Sequence, residues 1–207
     1  MRLRCRTDVS QCIARDRSTG RHFLLLLISV AATWGVVGVP SAQGQHAKPA
    51  EFEVKATYLY NFSRFVEWPA QVAQAQGDSF AICVLGEDPF GAALKATVAQ
   101  ETVAGKSVVT KQVPTAQDAV SCRVLFISSS EDKRLKEILT SLGTATVLTV
   151  SDLPKFTQRG GMVQFVLEGN KVRFEVNSAV AQRAGLTLSS ELLKVAVNVR
   201  RSVPSGD

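Results

Sequence analysis

Apolar positions fall in three patterns along this chain. From Glu51 the spacing is helical: Phe52, Leu59, Phe62 and Val66, joined by Tyr58 and Phe65, recur every three or four residues, while Lys55, Asn61, Arg64 and Glu67 take other sides. Pro69 stops this helix after Trp68. Then come short, wholly apolar runs, the signature of strands buried on both faces. Phe80–Leu85 is the first and Cys122–Ile127 another, with strands also expected at Lys106–Val113 and Thr144–Val150. Between them the pattern predicts a helix opened by Asp88-Pro89 and running to about Val98. A helical turn follows the Pro114 link, and a helix over Asp132–Leu142 starts from the capping-box-like Ser128-Ser129-Ser130-Glu131.

After Gly160-Gly161 the period becomes two. Met162–Leu167 and Val172–Val176 flank Glu168-Gly169-Asn170-Lys171, and Gly169-Asn170 suits a two-residue hairpin turn with positive φ at both central positions. That register sets Glu168 opposite Lys171 and Phe165 opposite Phe174. Arg173 and Glu175 alternate with Val172, Phe174 and Val176, so the second hairpin strand is expected at a sheet edge with one wet face. Two helices close the chain. Asn177 or Ser178 caps the first, which Gly185 ends. Ser189 caps the second, with Leu192, Leu193, Ala196 and Val199 as its stripe and Arg200 and Arg201 in its last turn. Together these elements predict an α/β fold: a single three-layer domain with a mostly parallel sheet, a C-terminal β-hairpin and terminal helices.

The seventeen-residue apolar run Phe23–Val39 follows Arg2, Arg4, Arg6, Arg15, Arg17 and Arg21 and exits through Pro40-Ser-Ala-Gln-Gly44. That order reads as a secretory signal peptide over residues 1–44, cleaved after Ala42 or Gly44, with a retained membrane anchor as the weaker reading. Residues 45–50 read as a flexible tail, 51–202 as the domain and 203–207 as a disordered end. Removing the leader changes the charge. It holds six Arg and two Asp, +4 of the chain's +6, so 18 basic and 16 acidic residues remain. A balance near +2 gives no support to a nucleic-acid partner.

Of the four cysteines, Cys5 and Cys12 lie in the leader. Cys83 and Cys122 remain, and in an exported chain they most simply form one disulfide, with two buried thiols as the alternative. The two histidines, His22 and His46, lie in the leader and the tail, so the domain has none. Ser-His and Cys-His nucleophiles and His-based metal sites are thereby excluded, and no catalytic, metal or cofactor residue is assigned. The Gly86–Gly91 turn lacks the G-x-G-x-x-G spacing of dinucleotide folds, and Glu87 and Asp88 would repel a pyrophosphate. The strand exits at Gly86, Ser128, Asp152 and Gly160 are the candidate ligand-binding positions, against the plainer reading of turn backbone and helix caps. The aromatic residues Tyr58, Phe62, Phe65 and Trp68 are the candidate partner surface, against the plainer reading of a core helix.

Six ordered blocks carry a resemblance over about Glu51 to Arg201: Tyr60-Asn-Phe-Ser-Arg-Phe-Val-Glu-Trp-Pro69, Ile82-Cys-Val-Leu-Gly-Glu-Asp-Pro-Phe90, Leu125-Phe-Ile-Ser128, Val147-Leu-Thr-Val-Ser-Asp152, Gly160-Gly-Met162 and Val172-Arg-Phe-Glu-Val-Asn177. The chain resembles the YfiR family of periplasmic repressors of membrane diguanylate cyclases. The resemblance implies a periplasmic α/β domain, often dimeric and without catalytic activity. It would hold a YfiN-like diguanylate cyclase inactive, and a YfiB-like outer-membrane lipoprotein would sequester it, which releases cyclic-di-GMP synthesis and biofilm formation. Cys83 and Cys122 match a family disulfide; a second cysteine pair found in some relatives is missing here. From the residues alone, the other functional class is a periplasmic module that binds a nucleotide or amino acid.

Overall fold

The computed structural model describes residues 47–70 and 79–202. The leader reading over 1–44 and the C-terminal tail at 203–207 lie outside them. Helix α1 (Ala47–Phe65) begins inside the expected tail and runs directly into a two-residue strand, β1 (Val66–Glu67). Strand β2 (Ser79–Leu85) follows, then α2 (Ala92–Val98), β3 (Thr102–Val103), β4 (Lys106–Val113) and the short α3 (Ala116–Ala119). Next come β5 (Val124–Ile127), a 3-10 turn at Ser129–Arg134, α4 (Leu135–Leu142) and β6 (Leu148–Ser151). The hairpin β7 (Val163–Glu168) and β8 (Lys171–Asn177) leads to α5 (Ser178–Arg183), β9 (Thr187–Leu188), α6 (Ser190–Val195) and β10 (Asn198–Arg200).

Among the described residues eight strands make one sheet in the order β10-β8-β7-β6-β5-β2-β4-β3, and β1 pairs with β9 in a separate ribbon. The β3–β4 and β7–β8 pairs are antiparallel and the others in the large sheet are parallel. Within it β4-β2-β5-β6-β7 is a doubly wound arrangement whose direction of growth reverses between β2 and β5. Alternation along β2 divides the core. Phe80, Ile82 and Val84 face the layer that holds α1, α2, α5 and α6; Ala81, Cys83 and Leu85 face the layer built from α3, α4, Leu153 and Phe156. The fold is the expected three-layer α/β domain with a mostly parallel sheet.

The disulfide joins Cys83 in β2 to Cys122, just ahead of β5, with Cα atoms 6.0 Å apart. The hairpin register also agrees: Phe165 pairs Phe174 and Glu168 pairs Lys171, with φ of 51° at Gly169 and 63° at Asn170.

Four expectations are corrected. Asp88 does not cap a helix. Its Oδ1 accepts from the Phe90 N–H at 2.8 Å, closing a turn, and α2 begins only at Ala92. The Ser128 side chain caps a 3-10 turn, with the regular helix delayed to Leu135. Strand β8 is not at the edge, because β10 pairs with it in parallel. The stripe residues Ala196 and Val199 therefore do not continue α6, which ends at Val195. Val197 and Val199, alternating with polar or small residues beyond the helix, suit extended backbone, and the Val197 N–H donates to the Phe174 carbonyl at 3.0 Å. Arg200 consequently sits in a strand and not in a helix's last turn.

Candidate functional site

Parallel pairing aligns Leu85, Ile127 and Ser151, so Gly86, Ser128 and Asp152 emerge side by side at the C-terminal edge of the sheet. Gly160 is not with them. It precedes β7 on the helix-packed face, where a Cβ would lie 3.6 Å from Leu139. The crevice at the reversal between β2 and β5 is filled by the chain itself. Gly86 adopts a φ of +91°, and a Cβ there would overlap the Ser130 hydroxyl. The Glu87 N–H donates to Ser130 Oγ at 3.0 Å, and Gln112 Nε2 donates to the Gly86 carbonyl at 3.0 Å. Ser128 Oγ accepts from the Ser130 N–H. These groups hydrogen-bond to one another across the exit turn.

Asp152 has a different task. Its Oδ2 lies 2.8 Å from Lys55 Nζ, which also meets Glu51 at 2.6 Å, and the ammonium stands 4.7 Å from the centre of the Phe52 ring. Lys55 is only 3 % exposed, so this ion group pins α1 to the exit of β6. Asp152 Oδ1 is buried with no hydrogen-bond partner among the described residues.

The four aromatic candidates do not form one surface. Phe62 is buried, and Tyr58 packs with it against Phe165 and Phe174 of the hairpin at centroid distances of 5.1 to 6.0 Å. Trp68 is half-buried, edge-on to Phe80 at 5.2 Å. Phe65 alone of the four is exposed. Other outward apolar side chains lie elsewhere. Val54 of α1 and Leu167 of β7 are 43 % and 57 % exposed. Both line a cavity of about 590 Å³ between α1 and the hairpin tip, and Glu51 and Leu167 are shared with a neighbouring cavity of about 460 Å³ that reaches Lys55 and Asp152.

A further cavity, of about 570 Å³, opens at the opposite, N-terminal edge of the sheet, and sequence reasoning passed over it. Arg64, Trp68, Phe80, Val103, Lys106 and Arg123 line it. Its one legible signal was Arg123, a charge set directly before the apolar stretch Val124–Ile127; the side chain is 3 % exposed, and burial lowers its pKa below the ordinary guanidinium value. Gly105-Lys106-Ser107 echoes the end of a phosphate loop, but Gln100 stands where that motif's first glycine belongs, and the triplet opens a strand instead of a helix.

Among the described residues no cluster of three or more His, Cys, Asp or Glu could hold a metal, and no helix is long and apolar enough to cross a membrane. Tyr60 donates to Glu101 Oε2, and that bond, with burial, raises the phenol's pKa above its usual value.

Two solved structures are similar over part of the chain. The ABC domain in complex with L-Trp from Streptococcus pneumoniae is 14 % identical, with a TM-score of 0.43, covering 58 % of this chain and 55 % of that one. A conserved domain protein from Vibrio cholerae O1 biovar El Tor is 12 % identical, with a TM-score of 0.44, covering 58 % and 54 %. The chain thus spans about half the length of each, and neither likeness carries an argument here. A family model described as YfiR/HmsC-like matches residues 52–197, which takes in most of α1 and every described element from β1 to α6. The disulfide fits an oxidising compartment, and the chain belongs to the YfiR/HmsC-like family of periplasmic regulatory proteins.

Proposed function

We propose that the protein is a non-catalytic periplasmic repressor of a membrane-bound, YfiN-like diguanylate cyclase, acting by direct contact and so limiting cyclic-di-GMP synthesis and biofilm formation. Export through the N-terminal leader would deliver it to the cyclase's periplasmic part, and a YfiB-like outer-membrane lipoprotein would relieve repression by sequestering it. Self-association as a homodimer is compatible with the same reading. The observation that carries it is family membership over residues 52–197. The open groove between α1 and the hairpin, rimmed by exposed Val54 and Leu167, supports contact with a protein partner.

Loss of the protein is expected to raise cellular cyclic-di-GMP. Leu167→Asp combined with Val54→Asp should raise it to the same level while leaving the melting temperature within a few degrees, since both side chains are exposed. Cyclic-di-GMP unchanged by deletion, across several growth conditions, would sink the cyclase assignment. An effect of deletion that the double variant does not reproduce would move the contact surface away from the groove.

A further inference from the structure

Strand β10 ends the large sheet, and among the described residues no strand lies on its outer side. It pairs with Glu175–Asn177, at the far end of β8 from the hairpin tip, so this edge is separate from the groove assigned above to a partner. An uncovered edge offers a row of backbone donors and acceptors, and the side chains around it decide which chain can use them. From Ser189 to Ser202 there are three cations, Lys194, Arg200 and Arg201, and one acid, Glu191. The Ser190 hydroxyl donates to that acid at 3.2 Å, and among the described residues no ion pair or hydrogen bond holds any of the three cationic side chains. Glu175, opposite Asn198 on β8, is half-buried and accepts from the Thr157 hydroxyl. Val195 and Val197 stand exposed beside the cations. The chain's own course leaves the edge open: Asn177 Nδ2 donates to the Ser202 carbonyl at 3.1 Å, so the backbone turns from β10 toward β8 and away from the outer side. A cavity of about 240 Å³, lined by Ser178, Gln182, Leu188, Leu193 and Arg201, opens beside the end of the strand. It is smaller than most small-molecule sites and suits a single side chain.

We propose that the outer edge of β10 is a docking site for an extended, acidic segment of a protein partner, which adds to the sheet as an extra strand. Main-chain bonds to β10 hold the segment, its carboxylates meet Lys194, Arg200 and Arg201, and one of its side chains enters the cavity beside Arg201. A second copy of this chain does not suit the same edge. A two-fold contact is self-complementary, so it would set these cations against their own copies.

The probe is a short fluorescent peptide in which aspartate or glutamate alternates with valine, titrated with the full chain and read by anisotropy. Binding is expected to saturate and to weaken as salt is raised. The same peptide with lysine at the acidic positions should not bind. Methylation of every second amide of the probe, tried in both phases, should abolish binding in at least one of them, because a strand bonds its neighbour through alternate residues. Lys194→Gln combined with Arg201→Gln, both at exposed side chains, should weaken binding about tenfold with melting unchanged. Arg159→Gln, at a cation paired with Asp132, should have no effect. Val197→Asp, which sets a carboxylate on the edge, should weaken binding as well. A chain ending at Ser202 should bind as the full chain does. The proposal is overturned if the acidic peptide gives no saturable response, if both methylated probes bind as tightly as the parent, or if the double variant and Val197→Asp leave affinity unchanged. It is overturned equally if Arg159→Gln lowers affinity to the same extent, which would mark a diffuse charge effect. Much tighter binding by the chain ending at Ser202 would also overturn it, by making residues 203–207 the occupant.

Discussion

Lys55 carries its ammonium into a nearly closed site and meets two carboxylates and an aromatic face there. A buried charge is tolerated when its partners are in place and costly when one is removed. Lys55→Met is therefore expected to destabilise the fold by about 3 kcal/mol, because Asp152 would be left without its cation. Adding Asp152→Leu should recover part of that loss, and urea unfolding of the single and double variants would show whether it does. Neither role could be read from sequence. Helical spacing placed Lys55 off the apolar face, and Asp152 looked like a strand-exit ligand residue. The attraction that joins them spans 97 positions, and no local pattern records it. Tyr60 offers a second test. The chain has two tyrosines, so ultraviolet titration of the phenols is simple to resolve. The hydrogen bond to Glu101 raises the folded-state pKa above the unfolded value of about 10. Its contribution is then full below about pH 10 and is lost as the pH climbs through the raised value. Glu101→Gln should bring the late phenol step down, and Tyr60→Phe should abolish that step; a late step that survives Tyr60→Phe would refute the assignment.

At the scale of elements, legibility follows the range of the interactions. The β7–β8 hairpin was legible down to its register, because two adjacent residues, Gly169 and Asn170, determine the turn and the turn determines the pairing. The starts of α2 and α4 were misplaced by a few residues. There Asp88 and Ser128 satisfy turns first, a local competition that composition alone does not rank. The two-residue strands β1, β3 and β9 were missed because so few residues carry no periodicity. β10 was misread for a deeper reason: a valine-rich segment can end a helix or add a strand, and the open side of β8 decided it. That side invites a direct test. A chain ending at Val197 loses the pairing of Asn198–Arg200 with Glu175–Asn177 and the bonds from Ser178 Oγ to the Arg200 carbonyl and from Asn177 Nδ2 to the Ser202 carbonyl. It should melt lower and associate in a concentration-dependent way in sedimentation, as uncovered strand edges do. A truncated chain that stays monomeric at high concentration would show that β10 does not protect this edge.

For the whole molecule, the layered α/β arrangement was readable because buried strands and amphipathic helices alternate at distinct periods, and the cysteine pair because only two lay outside the leader. The placement of the cavities was not readable: each is walled by segments remote in sequence, such as Trp68, Lys106 and Arg123. The disulfide makes the molecular-scale prediction. It closes a 39-residue separation, so Cys83→Ser should cost about 4 kcal/mol on the chain-entropy account and lower the melting temperature. In the native, non-reduced protein neither Cys83 nor Cys122 should react with an alkylating reagent; labelling of Cys122 in that state would contradict the bridge. The same bond has a mechanical meaning. The loop it closes contains α2, β3, β4 and α3, one whole wing of the sheet, while β6 to β10 lie outside it. Pulled from its two ends, the oxidised chain would pay out a contour shorter by roughly 140 Å than the reduced chain, at about 3.6 Å per residue. Tension would strip the C-terminal wing to an extended strand while the other wing stayed knotted out of reach of the force.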